Sequence, residues 1–268
     1  MSTSPSLAAE LRAVAEELAR AAGDMALRGR KSGAVAATTK SSPIDMVTEF
    51  DKASERMIVE GLARLRPDDG MVGEEGAAVE GRSGITWHID PIDGTSNFYF
   101  DIPMWAVSIG AVDAEGPVAG AVYAPALGEM FSAARGAGAT LNGSPIRARS
   151  NTDIADALVC TGFSYRIHER AVHAQRVARM VMRVRDIRRF GAAAIDLCFV
   201  ACGRYDAYFE EHLHSWDLVA GQIVAVESGA LVTDYAGAPV TPHQVLACQP
   251  GVQRAMIDLI AETTGPAR

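Results

Sequence analysis

The chain lacks most of the features that would mark a secreted, membrane-bound or polyanion-binding protein. Its four cysteines, Cys160, Cys198, Cys202 and Cys248, show no C-x-x-C spacing, which suits small buried apolar residues in a reducing compartment. Cys198 and Cys202 share a helix face, but zinc needs further ligands and none is evident. Met1 to Leu11 is polar, without the basic and apolar regions of a secretory leader, and no 18 uninterrupted apolar residues exist to span a bilayer. These absences point to a soluble cytoplasmic protein. There is no Lys/Arg run and the formal net charge is −8, which argues against nucleic acid as a partner. A small phosphorylated substrate is not excluded, because bound cations would reverse the local field. No internal repeat or low-complexity segment appears.

What is present is an ordinary globular composition: 268 residues, 49% hydrophobic and 22% charged. That length allows one domain or two closely packed halves. Leu7, Leu11, Val14, Leu18, Ala21 and Met25 recur at helical spacing, so residues 6 to 28 read as an amphipathic helix. Gly29 to Ser42 reads as a loop, and a second helix starts near Thr48, where Thr48-x-x-Asp51 imitates a capping box, and runs to Pro67. Met71 to Glu75 reads as a strand end feeding adjacent carboxylates. Trp105 to Val112, Val118 to Tyr123 and Glu129 to Ala133 alternate as strands, and Asn142-Gly143 signals a hairpin. Gly143 to Asp156 is the expected seam between an N-terminal α+β half, residues 1–148, and a C-terminal α/β half, residues 149–268. Beyond it strands (157–161, 185–187, 207–210, 230–233) alternate with helices (169–183, from Gly191, from Trp216, after Pro250), the signature of a sheet layered by helices.

The most informative stretch is Asp90-Pro91-Ile92-Asp93-Gly94-Thr95-Ser96-Asn97. It follows Ile85 to Ile89, whose β-branched and aromatic content reads as a buried strand. Pro91 removes a ladder donor and is expected to end the pairing, while Gly94-Thr95 reads as a helix start with free N–H groups. Two carboxylates and a bare helix N-terminus suit Mg²⁺ and phosphate, although an isolated D-x-x-D-G can equally be a turn that caps a helix. Glu74, Asp90, Asp93 and Asp217 all fall at element ends. Asp217 alone reads as an N-terminal dipole partner as readily as a ligand, and four such charges in one cleft would repel unless cations neutralised them.

Four ordered segments, Lys40 to Asp51, Gly73-Glu74-Glu75, Trp87 to Phe98 and Trp216 to Gly221, resemble the inositol monophosphatase family of metal-dependent sugar phosphatases. The resemblance implies a layered αβαβα sandwich of the sugar-phosphatase type, within the α/β class, and a homodimer. It implies two or three Mg²⁺ ions per site, with Glu74, Asp90 and the Ile92 carbonyl holding one and Asp90, Asp93 and Asp217 a second, and inhibition by Li⁺. Thr95, hydrogen-bonded to Asp51, would act with Glu74 on the attacking water. Gly94 and Thr95 would grip the phosphate beside Asp93, and Lys40 would close over it. Asp45 reads as a cap or as part of the metal shell. Gly191, Ala192, Ala193 and Ala194, with Glu210, match residues that contact the leaving alcohol. Glu210 suits vicinal hydroxyls, or is a solvated acid beside Glu211. Ala192 stands where members commonly carry Ser or Thr, and Val219 is bulkier than usual behind Asp217.

The expected activity is hydrolysis of a small phosphorylated polyol, inositol 1-phosphate first. An amino-alcohol phosphate, histidinol phosphate, is the competing substrate. A bacterial branch of the family that binds transcription machinery supplies a non-catalytic alternative. Two further motifs compete with this reading: Cys160 to Arg166 has the C-x5-R spacing of cysteine-dependent phosphatases, and His212 and His214 could supply a transition-metal ligand or a general acid.

Overall fold

The computed structural model describes residues 4–33, 35–39 and 46–264. Lys40 and Asp45 lie outside the described residues. The first helix, α1 (Pro5–Lys31), is three residues longer at its end than its periodicity indicates. The Ser4 hydroxyl caps it by accepting from the Leu7 N–H at 3.3 Å, and Leu11, Ala15, Leu18, Ala22 and Ala26 form its buried stripe. Strands β1 (Ala37–Thr39) and β2 (Met46–Thr48) pair antiparallel where the sequence suggested only a loop. Helix α2 (Glu49–Leu65) opens with the reciprocal Thr48–Asp51 capping box and stops before Pro67.

The larger sheet contains β3 (Gly70–Gly73), β4 (Ala78–Val79), β5 (Thr86–Asp93), β6 (Ala106–Asp113), β7 (Gly116–Ala124), β8 (Glu129–Ala134), β9 (Ala139–Leu141) and β10 (Ser144–Pro145), in the order β10-β9-β8-β7-β6-β5-β3-β4. Only the β3–β5 pair is parallel. A short helix, α3 (Thr95–Tyr99), follows β5. The second sheet contains β11 (Leu158–Thr161), β12 (Asp186–Arg188), β13 (Ala207–Glu211), β14 (Leu231–Thr233) and β15 (Gln244–Cys248), in the order β12-β11-β13-β15-β14. Between its strands lie α4 (Ile167–Met180), α5 (Ala193–Ala201) and α6 (Ser215–Glu227), with α7 (Gln253–Thr264) at the end. The sequence reading omitted β15: Val245 to Cys248 are all buried, so the strand carries no alternation to give it away.

Three hydrophobic clusters show the layering. Helices α1 and α2 pack on one face of the large sheet. Helices α5 and α6 fill the space between the two sheets, and α4 and α7 cover the outer face of the second. The result is an αβαβα sandwich. Among the described residues no helix is long and apolar enough to cross a membrane.

The central layer is tight. Val219 on α6 lies directly over Gly110 on β6, where an added Cβ would fall 2.5 Å from Val219 Cγ1 and 2.8 Å from the Ala220 nitrogen. The bulk at position 219 is thus matched by the missing side chain at 110. Gly110→Ala is expected to cost about 2 kcal/mol, as overpacking does, measured as a lower urea midpoint with an unchanged slope. Adding Val219→Ala should recover part of it, since the Ala220 backbone clash remains.

Candidate active site

Each acid is fixed by local structure rather than by its neighbours in sequence. Glu74 follows β3, and its N–H extends the β3–β5 ladder by donating to the Ile89 carbonyl at 3.1 Å. The turn beyond it is held by buried Glu55, whose carboxylate accepts from the N–H groups of Glu75 (2.7 Å) and Ala77 (2.9 Å). Strand β5 does not end at Pro91. It pairs with β6 through Asp90–Ser108, shifts register across Pro91–Ile92, and pairs again at Asp93–Ala106. The strand absorbs the missing proline donor as a bulge, and the Pro91 carbonyl accepts from Ser54 Oγ at 2.9 Å. In a regular strand residues three apart face opposite ways; here Asp90 and Asp93 line one cavity.

Gly94 caps α3 with φ +88°, and a Cβ there would lie 2.9 Å from the Met104 carbonyl oxygen, so both conformation and space require glycine. Thr95 Oγ1 is within donating distance, 3.0 Å, of both Asp51 Oδ1 and the Ile92 carbonyl. Asp51 Oδ2 accepts from Thr48 N–H at 2.8 Å and Thr48 Oγ1 at 2.5 Å. Burial raises the Asp51 pKa against these hydrogen bonds. Asn97, in the same helix, ties the site to the second half through Nδ2, which donates to the Met104 and Phe190 carbonyls at 2.6 and 2.7 Å.

From the second half, the first N–H groups of α5 hold Asp93: Ala193 donates to Oδ1 at 3.0 Å and Ala194 to Oδ2 at 2.8 Å. Asp217 occupies the third position of α6 and accepts from the His214 N–H at 2.7 Å. Helix α6 is anchored to the large sheet by His88 Nδ1 and Ser215 Oγ, 2.8 Å apart, and by Ser108 Oγ donating to the Trp216 carbonyl at 3.2 Å. Burial lowers the His88 pKa, favouring the neutral ring for that contact.

These elements enclose a cavity of about 500 Å³ whose walls include Glu74, Asp90, Ile92, Asp93, Gly94, Thr95 and Asp217. The Asp90 carboxyl is pushed well above the usual range by burial first, then by the charges of Glu74, Asp93 and Asp217. Asp93 is raised by burial and by Asp217, against the two α5 amides. The four acids singled out in the sequence therefore meet. Among the described residues no three or more His, Cys, Asp or Glu side chains are already arranged to hold a metal ion. Asp93 and Asp217 spend acceptor capacity on backbone amides instead. The donor set, four carboxylates and a backbone carbonyl around the cavity, is the chemistry of a hard divalent cation, so the residues fit such an ion.

Gly191, Ala193 and Glu210 also face the cavity, whereas Ala192 is 1% exposed and packed in the core, so the residue standing in place of Ser or Thr offers no wall to a ligand. Glu210 is not a solvated acid. It lies half-buried against Gly162, accepts from the Tyr208 hydroxyl at 2.6 Å, and is raised by burial to about 7. Neighbouring Glu211 is engaged by His173 (2.8 Å) and Arg176 (3.2 Å), which hold its carboxyl down at about 2 despite its burial.

The competing cysteine motif loses its chemistry, whereas His212 and His214 both stand in the cavity wall. Cys160 is 0% exposed in β11, and burial pushes its thiol far above neutrality, so no thiolate is available beside Arg166. His214 stacks on Trp216 at 4.7 Å, and His212 sits edge-on to His243. The sequence reading missed Phe163, Ser164, Tyr165 and Arg189 in the cavity wall. They lie on the connections after β11 and β12, and only Gly191, two residues after Arg189, marked the second of these.

A sequence profile of the inositol monophosphatase family matches residues 7–265. The chain belongs to the inositol monophosphatase family. It is 40% identical to inositol-1-monophosphatase SuhB of Mycobacterium tuberculosis, covering 96% of this chain and 95% of that protein. It is 42% identical to Nus factor SuhB of Xylella fastidiosa over 82% of this chain and 80% of that one. Among solved structures, the suppressor protein suhB of Bartonella henselae superposes with a TM-score of 0.87 at 30% identity, covering 92% of this chain and 96% of that one. The Thermotoga maritima inositol monophosphatase gives 0.85 at 30% identity, covering 92% and 95%. The family thus carries both enzymatic and transcriptional names at similar distance.

The raised carboxyls set a pH dependence for metal-free protein. Acids whose folded pKa exceeds the unfolded value bind more protons when folded, so stability falls as pH rises from near 4 through the folded pKa. In EDTA, urea midpoints are expected to fall between pH 5 and pH 8, and Asp90→Asn should flatten that fall. A wild-type midpoint rising over the same interval would contradict the crowding of charge described above.

Proposed function

We propose that the chain is a Mg²⁺-dependent phosphomonoesterase acting on a small phosphorylated polyol, inositol 1-phosphate first. The observation that carries this reading is the convergence of Glu74, Asp90, Asp93 and Asp217 from both halves on one cavity beside the Thr95–Asp51 pair. Glu74, Asp90 and the Ile92 carbonyl would hold one ion, and Asp90, Asp93 and Asp217 a second. When bound, the ions supply charge stabilisation at the attacking and leaving oxygens.

The chain's own residues do the rest. Asp51 orients Thr95 by accepting a hydrogen bond from its hydroxyl, Thr95 Oγ1 accepts in turn from the attacking water, and the water's proton passes to the Glu74 carboxylate. The backbone N–H groups of Gly94 and Thr95 face the phosphate. Gly191, Ala193 and Glu210 meet the leaving alcohol, with Glu210 accepting from hydroxyls. In this reading residues 1–148 supply most of the ion-binding groups, and residues 149–268 supply Asp217 and the leaving-group contacts. Two or three ions per site, Li⁺ inhibition, a homodimer and a cytoplasmic location belong to the same proposal and rest on family membership. Histidinol phosphate is the alternative substrate.

A second reading, a non-catalytic factor of the transcription machinery, is favoured by the relatives named Nus factor. The complete carboxylate set and net charge of −8 favour the enzyme. Phosphate release from inositol 1-phosphate is expected with Mg²⁺ and not with excess EDTA. Asp93→Asn should lower kcat by about a thousandfold on every substrate, a loss of about 4 kcal/mol of transition-state stabilisation. Glu210→Ala should instead change the ranking of inositol 1-phosphate against histidinol phosphate. Near-normal turnover by Asp93→Asn would overturn the assignment, and an inactive wild type that binds transcription factors would support the second reading.

A further inference from the structure

The cavity wall is not acidic throughout. Besides the four acids and Glu210, whose charge acts on Asp93, it carries Phe163, Arg166 and Arg189. Arg189, in the connection between β12 and α5, is exposed, and its guanidinium lies over the Phe163 ring, 5.8 Å from the centroid. It also occupies the space above Gly191, where a Cβ would fall 2.2 Å from Nη1 and 3.0 Å from Cζ. Gly191, at φ +79°, is thus both a conformational necessity and the floor on which Arg189 rests.

The carboxylates nearby are otherwise occupied. Arg166 is paired with Glu169 at 3.3 Å, Glu211 with Arg176 and His173, and Glu210 with the Tyr208 hydroxyl. Among the described residues no carboxylate pairs directly with Arg189, although its charge helps to hold down the Glu210 and Asp196 carboxyls. Its flat fork, backed by an aromatic face, presents its N–H donors to the cavity in the geometry that suits phosphate or carboxylate. An ammonium group brought against Arg189 itself would meet a like charge.

Resting on the phosphomonoesterase reading above, we propose that Arg189 is a specificity-determining residue that selects phosphomonoesters whose alcohol portion carries a second anionic group, and that disfavours alcohols carrying an ammonium. The phosphate to be cleaved sits at the Thr95 end, and the second anion is gripped by Arg189 against Phe163.

The test compares four probes with Mg²⁺ present: fructose 1,6-bisphosphate (second phosphate), 3-phosphoglycerate (carboxylate), inositol 1-phosphate (neutral) and histidinol phosphate (ammonium). Arg189→Gln is expected to lower the kcat/KM ratio of the bisphosphate to inositol 1-phosphate about tenfold, the value of one charge-assisted contact. The change should fall in KM, and the ratio of histidinol phosphate to inositol 1-phosphate should rise. Arg189→Lys keeps the charge but not the fork, and should restore part of the first ratio relative to Arg189→Gln, which a merely structural role would not predict. The two anionic probes separate phosphate from carboxylate selection: a drop confined to one names the preferred anion. Equal losses on all four probes, or ratios unchanged in Arg189→Gln, overturn the proposal. Calorimetric titration of the same probes reads the Arg189 effect independently of turnover. A protein that hydrolyses none of them but still loses bisphosphate affinity in Arg189→Gln contradicts the phosphomonoesterase reading and leaves the anion subsite standing.

Discussion

The constraint on which the structure depends is the mutual repulsion of Glu74, Asp90, Asp93 and Asp217 in one cavity. Two unit charges about 4 Å apart repel by about 4 kcal/mol at an effective dielectric near 20, and marginal folding stabilities of about 5–15 kcal/mol leave little room for several such pairs. Burial and this repulsion together lift Asp90 and Asp93 well above the ordinary carboxylate range. Asp90 and Glu74 share a hydrogen bond, and the rest of the fold supplies further contacts that hold the acids in place.

Three devices do so. The bulge at Pro91–Ile92 turns Asp90 and Asp93 to one side of β5, and Ser54 of α2 secures its carbonyl. The N-terminus of α5 donates two amides to Asp93, placing helix partial charge where it opposes the negative cluster. The first turn of α6 holds Asp217, while His88 and Ser108 fix that turn to the large sheet. Two of these devices join the central α5–α6 layer to the large sheet, so the site and that layer depend on each other. The close seating of Val219 on Gly110 belongs to the same layer.

Much of this was legible in the sequence because it rests on local signals. The existence of α1, the Thr48-x-x-Asp51 box, the glycine at 94 and the Trp216-Asp217 helix start are each encoded within a few residues, although the buried stripe of α1 runs through Ala15, Ala22 and Ala26 while Ala21 is exposed. Whether distant carboxylates meet is not a local property; periodicity could place Glu74 and Asp217 at element ends but not in one cavity. The same limit explains the misreadings. Pro91 is a strand breaker by its own chemistry, and only the register with β6 turns the break into a bulge. Glu210 reads as solvated beside Glu211 until Gly162 and Tyr208 are brought against it. Residues 37–39 pair only because β2 returns beside them. The far wall, Phe163 and Arg189, comes from connections whose sequence has no period to read.

The cavity wall therefore carries four acids and Glu210 together with Arg166 and Arg189, a mixed charge matched to a ligand that brings phosphate and divalent cations together. The most direct test of the central claim is a crystal structure grown with Mn²⁺ in place of Mg²⁺, with anomalous difference density read within the cavity. The account predicts strong peaks lying between Glu74, Asp90, Asp93 and Asp217, with the Ile92 carbonyl as a further ligand. An anomalous map without peaks there, with the four carboxylates remaining apart at saturating Mn²⁺, would contradict it.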